Sequence, residues 1–470
     1  MSHELARLTI AQLSSLIKEG QVSPVEVTRS VLDRVKKYDG KINAYIEVTE
    51  EQALLQAKKA EEEIRAGRYK GPLHGIPMAL KDIFAIKGER ITVGSKFTFV
   101  YDYDATVVTK LKEAGVVFTG KLNMHEFAYG GTNDNPHFGP CRNPWNLDKV
   151  PGGSSGGSGA AVAADLTIAS LGTDTAGSVR VPASICGIVG LKPTYGLVSK
   201  YGCFPLSWSL DHIGPITKTV EDAALLLDCI AGYDENDPAS TADCTKDSNQ
   251  SYTQFLKEEI KGKVIGIEDF FFENVDQDIV QLVKKAVHTL ETMGAKVESV
   301  KIPSLKYSQY AEFLTFMGES SLIHKNRIKT RPEDFGKQVR ASLKLAQAVT
   351  ADEYLEAQQI RRRIVDEFAA AFQKIDVLIA PTQAAVPPNI GDDMVLINGN
   401  EHPYQDASTR LVSPFNLTGY PAISIPCGFS GGIPVGLQMA AAPFREEDVL
   451  SIAYAYEQTN PLNGKKPVLF

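Results

Sequence analysis

The chain has 470 residues, of which 43% are hydrophobic and 23% charged, and a formal net charge of −8. This is the balance of an ordinary globular protein long enough for one large domain or two smaller ones, and its acidity argues against a nucleic-acid surface, which clusters Lys and Arg. No apolar stretch approaches the roughly 20 residues of a membrane span, and Met1-Ser-His-Glu-Leu-Ala-Arg is no secretory leader, so a cytoplasmic enzyme is expected.

The first 66 residues read as helical. Ser23-Pro24-Val25-Glu26 is a capping box with proline at the first helical position, and that helix is expected to stop near Asp39-Gly40. A second helix covers about 50–66. From there, short apolar runs bounded by Gly and Pro alternate with helical patterns, which predicts an α/β fold. Gly75 to Leu80 reads as a buried strand, residues 105–113 as a helix, and Val116 to Thr119 as a strand leading to Lys121. Residues 160–165 continue as a small-residue helix. A helix over 219–232 precedes a polar loop over 234–249. Residues 263–267, a helix around Val280 to Leu290, and residues 296–302 make a strand–helix–strand unit. Residues 305–373 are helix-rich and charged, an insert in the form of a lid. Residues 376–380 are a buried strand, and residues 422–426 with 435–439 a hairpin. Core segments on both sides of the insert point to one domain over 1–470.

Six cysteines (Cys141, Cys186, Cys203, Cys229, Cys244, Cys427) show no Cys-x-x-Cys pair, which suggests reduced, buried thiols rather than disulfides or a zinc site. No histidine pair has ligand spacing, so neither metal nor organic cofactor is expected.

Two glycine loops carry serines: Gly152-Gly-Ser-Ser-Gly-Gly-Ser-Gly159 and Gly172-Thr-Asp-Thr-Ala-Gly-Ser-Val-Arg180. Glycine allows backbones to approach closely, and a serine hydroxyl can attack or relay a proton. The first loop matches Gly-x-Ser-x-Gly, the nucleophile elbow of an α/β-hydrolase. That reading leaves the second loop unexplained and the downstream histidines (His212, His288, His324, His402) without context. A phosphate loop lacks its Gly-Lys-Ser/Thr, and a flexible linker fits poorly between apolar flanks. Lys81 closes the strand begun at Gly75 and would point inward, where burial favours the neutral amine, a competent base. Serine with lysine is an alternative to serine with histidine.

Gly-Ile-Pro-x-x-x-Lys-Asp, Gly-Gly-Ser-Ser-Gly-Gly and Gly-Thr-Asp-Thr-x-Gly-Ser-x-Arg, in this order, resemble the amidase signature family over residues 5 to 460. The resemblance implies a large mixed β-sheet covered by helices on both faces. It also implies a Ser–cisSer–Lys triad of Ser178 as nucleophile, Ser154 as bridge after a cis peptide, and Lys81 as base. Backbone N–H groups of Thr175, Ala176, Gly177 and Ser178 would meet the oxyanion. Asp174 and Arg180 are expected to support the loop, as a structural ion pair or more directly, and Ser155 to hydrogen-bond near the lysine. Many members have Gly-Gly before the nucleophile; here Ala176-Gly177 stands there. A homodimer is a family-level expectation.

The same family contains the A subunit of tRNA-dependent amidotransferases, a glutaminase that feeds ammonia to a partner. Those proteins resemble Met-Asp-Glu-Phe-Ala-Met where this chain has Met124-His125-Glu126-Phe127-Ala128-Tyr129. They read Ala-Ser-Ser-Leu-Asp-Gln-Ile-Gly-Pro where it has Leu206-Ser207-Trp208-Ser209-Leu210-Asp211-His212-Ile213-Gly214-Pro215. The arginine and aspartate expected to grip glutamine align with Ser342 and Thr409. The sequence therefore favours a stand-alone amidase acting on small carboxamides or anilides. The amidotransferase glutaminase is the alternative, and a non-catalytic binding protein a remote third. Phe127 and Trp208 are candidate pocket residues, each as readily core. Tyr310, Phe313 and Phe316 either shape the acyl entrance or pack along a helix face.

Overall fold

A computed structural model describes residues 2–241, 251–459 and 465–467. Cys244 and the end of the polar loop expected over 234–249 lie outside the described residues.

The core is a mixed eight-stranded sheet. Its order is Lys296–Ser299, Val264–Ile267, Val377–Pro381, Ile433–Ala440, Ala422–Ser430, Val189–Lys192, His212–Thr217, Ser170–Asp174. The first three strands run parallel and the remaining pairs antiparallel. Val377–Pro381 and Ile433–Ala440 are buried at every position, as strands covered on both faces must be. The hairpin expected near the C-terminus is present and supplies two central strands, so the C-terminal hundred residues complete the sheet.

A second sheet, Tyr45–Val48, Val117–Leu122 and Pro77–Lys81, lies against the far edge. One parallel bridge, Met78 with Ala169, joins the two sheets. The helix Arg180–Cys186 packs on the central strands, as do Gln277–Thr292 and Glu446–Thr459. The insert contains the helices Ser308–Thr330, Lys337–Ala346 and Ala351–Ala371.

The N-terminal segment departs from the all-helical expectation. The capping box at Ser23 and Glu26 is present, but the helix passes through Gly40 to Ile42 and ends where Asn43 turns left-handed at φ 57°. Tyr45–Val48 then forms a strand, because pairing with Val117–Leu122 offers it a ladder that local propensity alone does not reveal.

The helix Gly156–Ala163 sits close against this smaller sheet. Gly157 donates its N–H to Asn123 O at 3.0 Å. A Cβ there would stand 2.2 Å from Asn123 O and 2.7 Å from Ala44 O. Backbone atoms cannot swing aside, so Gly157→Ala is expected to cost about 3 kcal/mol, the upper end of overpacking penalties, read as a lowered denaturant midpoint.

Candidate functional site

Lys81 ends a strand buried along its whole length and is itself 1% exposed. Its ammonium has three donors, and three hydroxyls meet them. Nζ lies 2.7 Å from Ser154 Oγ, 3.0 Å from Ser155 Oγ and 2.7 Å from Thr173 Oγ1. Burial pulls the lysine pKa down to about 7. Cys203, Asp211 and Asp174 act in the opposite direction without compensating. The amine is therefore close to half neutral near physiological pH.

The peptide Gly153–Ser154 is cis. Ser154 is fully buried, and its carbonyl accepts the N–H of His125 at 3.0 Å. The His125 ring is held neutral, its pKa lowered to about 4 by burial and then by Lys81. Ser155 ties the two serine loops together: its N–H donates to Ser178 O at 3.3 Å, while its Oγ donates to Thr173 O at 3.2 Å. Ser178 is half-buried and opens onto a cavity of about 460 Å³, shared with Gly130, Gly131, Gly153, Thr175 and Ala176. Lys81, Ser154 and Ser155 are thus in direct contact, and Ser178 joins them through its backbone.

Asp174 and Arg180 organise the loop that carries Ser178. Both are fully buried. Arg180 grips the carboxylate with Nε at 3.0 Å and Nη2 at 2.9 Å. Its remaining donors reach Val412 O (3.0 Å), Gln438 Oε1 (2.7 Å) and Asn416 Oδ1 (2.7 Å). Burial alone would raise the Asp174 pKa, but Arg180 and Asn416 outweigh it and hold the carboxyl well below the usual range. The carboxylate also accepts the Gly177 N–H at 2.8 Å, with Gly177 at φ +107°, and the Val179 N–H at 3.2 Å. The Gly177 N–H, one of four expected to face an oxyanion, is therefore already committed.

On the other side of the loop, Thr175 Oγ1 donates to Asp211 at 2.6 Å. Asp211 also accepts the N–H groups of Leu206 and Ser207 at 2.9 and 3.0 Å. The insert clamps the same segment: Glu319 accepts Ser207 Oγ at 2.7 Å, Ser209 N–H at 3.1 Å and Tyr354 OH at 3.0 Å. Glu126 accepts the Gly336 N–H at 2.9 Å and faces His137 at 2.7 Å, which fixes the start of the helix bearing Gln338 and Ser342. Tyr310, Phe313 and Phe316 line the 460 Å³ cavity, and so do Ser342 and Thr409.

Phe127 does not line that cavity. It is fully buried in an aromatic cluster, 4.5 Å from His324 and 5.3 Å from Phe335 between ring centroids, because its backbone turns left-handed (φ 53°) into the core. Trp208 lines a neighbouring cavity of about 560 Å³ with Thr173 and Asp211 instead. Sequence reasoning missed Thr173 as the third lysine partner, although it stands inside the second loop motif. Asn416 and Gln438, 236 and 258 residues from Arg180, carry no sequence signal. Among the described residues no cluster of His, Cys, Asp or Glu could hold a metal ion, and no helix is long and apolar enough to cross a membrane.

Neutralising one member of the buried ion pair leaves the other charge uncompensated. Asp174→Asn is expected to destabilise the protein by about 3–5 kcal/mol in denaturant titration. Arg180→Lys should fall nearly as far, since an ammonium cannot reproduce the fork.

A family model, Amidase, matches residues 26–450. The A subunit of a glutamyl-tRNA(Gln) amidotransferase from Geobacter sp. (strain M21) is 40% identical over 99% of this chain and 100% of its own length. Among solved structures, a chain from work on a vestigial protein complex and the origins of an s-triazine catabolic enzyme superposes with a TM-score of 0.91. It is 36% identical and covers 96% of this chain and 98% of that one. A bacterial aryl acylamidase of the amidase signature family superposes with a TM-score of 0.89 at 28% identity, covering 98% and 99%. With the family model matched over residues 26–450 and relatives matched along nearly their whole length, the chain belongs to the amidase signature family, hydrolases of amide C–N bonds.

Proposed function

We propose that the chain hydrolyses amides through Ser178, Ser154 and Lys81, releasing ammonia or an amine by way of an acyl-enzyme. The observation that carries this reading is the buried Lys81 amine, 2.7 Å from Ser154 Oγ and with its pKa lowered to about 7. Neutral Lys81 takes a proton from Ser154 as Ser154 takes one from Ser178. The Ser178 oxygen bonds to the amide carbon, and the carbonyl oxygen gains the negative charge. N–H groups of Thr175, Ala176 and Ser178 receive that charge, the Gly177 N–H being held by Asp174. The proton returns through Ser154 to the leaving nitrogen as the C–N bond breaks, and water then attacks the acyl-enzyme. Five cysteines without disulfide partners among the described residues support a reducing, cytoplasmic setting.

Two substrates fit this chemistry. The curated relatives favour the amidotransferase glutaminase, since they match over almost the whole chain, and this support is broader than any for a stand-alone amidase. The pocket favours simple carboxamides or anilides. Ser342 and Thr409 line it where the glutaminase needs an arginine and an aspartate, and no Lys, Arg or His is among its described lining residues. Without a cation, the α-carboxylate of glutamine would be desolvated unpaired.

Ammonia release from purified protein decides between them, with glutamine beside propionamide and benzamide, and amine release from an anilide. Glutamine-only turnover, rising with candidate partner proteins, supports the amidotransferase role; turnover of simple amides with glutamine inert supports the stand-alone enzyme. Ser178→Ala and Lys81→Ala should each lower kcat by about 10⁴-fold or more. Lys81→Arg, which stays protonated, should be as inactive. Because only the neutral amine accepts a proton, kcat/KM should rise with pH, level off above about 7, and fall about tenfold per unit below it. Wild-type rates in either lysine variant would refute the assignment.

A further inference from the structure

The 460 Å³ cavity beside Ser178 has a one-sided charge. Its ionisable acids are Glu312 and Asp406, and no cationic side chain among the described residues lines it. Glu312 is 8% exposed, on the helix Ser308–Thr330, and its carboxylate makes no hydrogen bond or ion pair to any described residue. The chain treats other buried carboxylates differently. Glu319, two turns along the same helix, is met by Ser207, Ser209 and Tyr354. Glu126 is met by Gly336 and His137. A buried carboxylate without a partner is costly, and in Glu312 burial, then Asp406, push the pKa up to about 8. Unpaired, the group relieves that cost by holding a proton; a cation in the cavity would relieve it by pairing.

We propose that Glu312 is the recognition group for a cationic substrate: the acyl portion of the amide carries an ammonium or amidinium group that pairs with Glu312 while Ser178 faces the carbonyl. Aromatic side chains surround the same space. Tyr129 and Phe316 lie 4.5 Å apart between centroids, and Phe313 lines the cavity with them. Their faces attract cations as well as apolar chains. Asp406, exposed at the rim, adds attraction of the same sign. A substrate bearing only a carboxylate finds no counter-charge here. This inference names the substrate class for the amide-hydrolase reading and rests on it.

The test is a binding measurement that does not depend on turnover. Ser178→Ala protein is titrated calorimetrically with glycinamide, β-alaninamide and 4-aminobutanamide, each beside its neutral counterpart acetamide, propionamide or butanamide, and with glutamine. At least one amino amide should bind about tenfold or more tightly than its neutral partner, roughly 1.4 kcal/mol. Glu312→Gln in the same background should reduce that preference to within about twofold. The thermal midpoint of this variant near pH 7 should not fall, because with its pKa at about 8 Glu312 is largely the neutral acid there and Gln is a neutral side chain of the same shape. Equal binding of charged and neutral members, no binding by any amino amide, or a preference that survives Glu312→Gln would each overturn the proposal. So would glutamine binding more tightly than every amino amide. If Glu312→Gln fails to fold, the preference measured in Ser178→Ala alone decides. Wild-type protein that releases ammonia from no amide would defeat the hydrolase reading instead, with the binding data still reporting on Glu312.

Discussion

Placing one primary amine at the dry end of a strand imposes most of what surrounds it. An ammonium taken out of water needs three acceptors or must shed a proton, and around Lys81 both answers are half realised. Three hydroxyls stand within hydrogen-bonding distance, yet none is charged, so desolvation still lowers the pKa. A carboxylate in place of any one of them would have locked the amine in its charged form. The carboxylates whose charge acts on it, Asp211 and Asp174, are instead occupied with other donors: Asp211 with Thr175, Leu206 and Ser207, Asp174 with Arg180, Asn416 and the Gly177 N–H. The polar groups of the site are arranged so that negative charge near the lysine is spent on shape.

That arrangement draws on distant parts of the chain. Arg180 is satisfied by residues more than two hundred positions away, on the C-terminal hairpin and the helix before it. The loop carrying Ser178 is thus held by a network that exists only once the sheet is complete, and a fully buried Arg with every donor engaged is the kind of group a half-formed structure cannot tolerate. Folding the core and shaping the loop are one event.

Much of this was legible in residue order, and the limits have physical causes. Gly153 to Ser155 and Thr173 to Arg180 are local, so loop, lysine and ion pair could be read from spacing together with family resemblance. The strand Tyr45–Val48 could not, because its stability comes from a partner more than seventy residues on. Phe127 stayed open between pocket and core because an aromatic beside a motif looks the same in either place; its left-handed backbone turns it into the core, and sequence does not display that. Asn416, Gln438 and Glu312 sit in unremarkable local contexts, and their meaning arises from three-dimensional neighbours. The reading of residues 305–373 rested on charge and helix pattern, which do not show which side chains face a cavity or lack partners.

The insert divides its labour in a way that bears on how this scaffold can change. Glu319 and Arg361 fasten it to the segment 207–209 and to Leu417 O, Tyr354 braces Glu319 from within the insert, and Glu126 fastens its second helix. Different residues of the same helices, among them Tyr310, Glu312, Phe313, Gln338 and Ser342, face the cavity. Drift in the second set leaves the first untouched. A lineage can therefore try new substrates by surface-like mutations on a wall whose mounting bolts are elsewhere, and the hydrolytic centre need not be rediscovered each time.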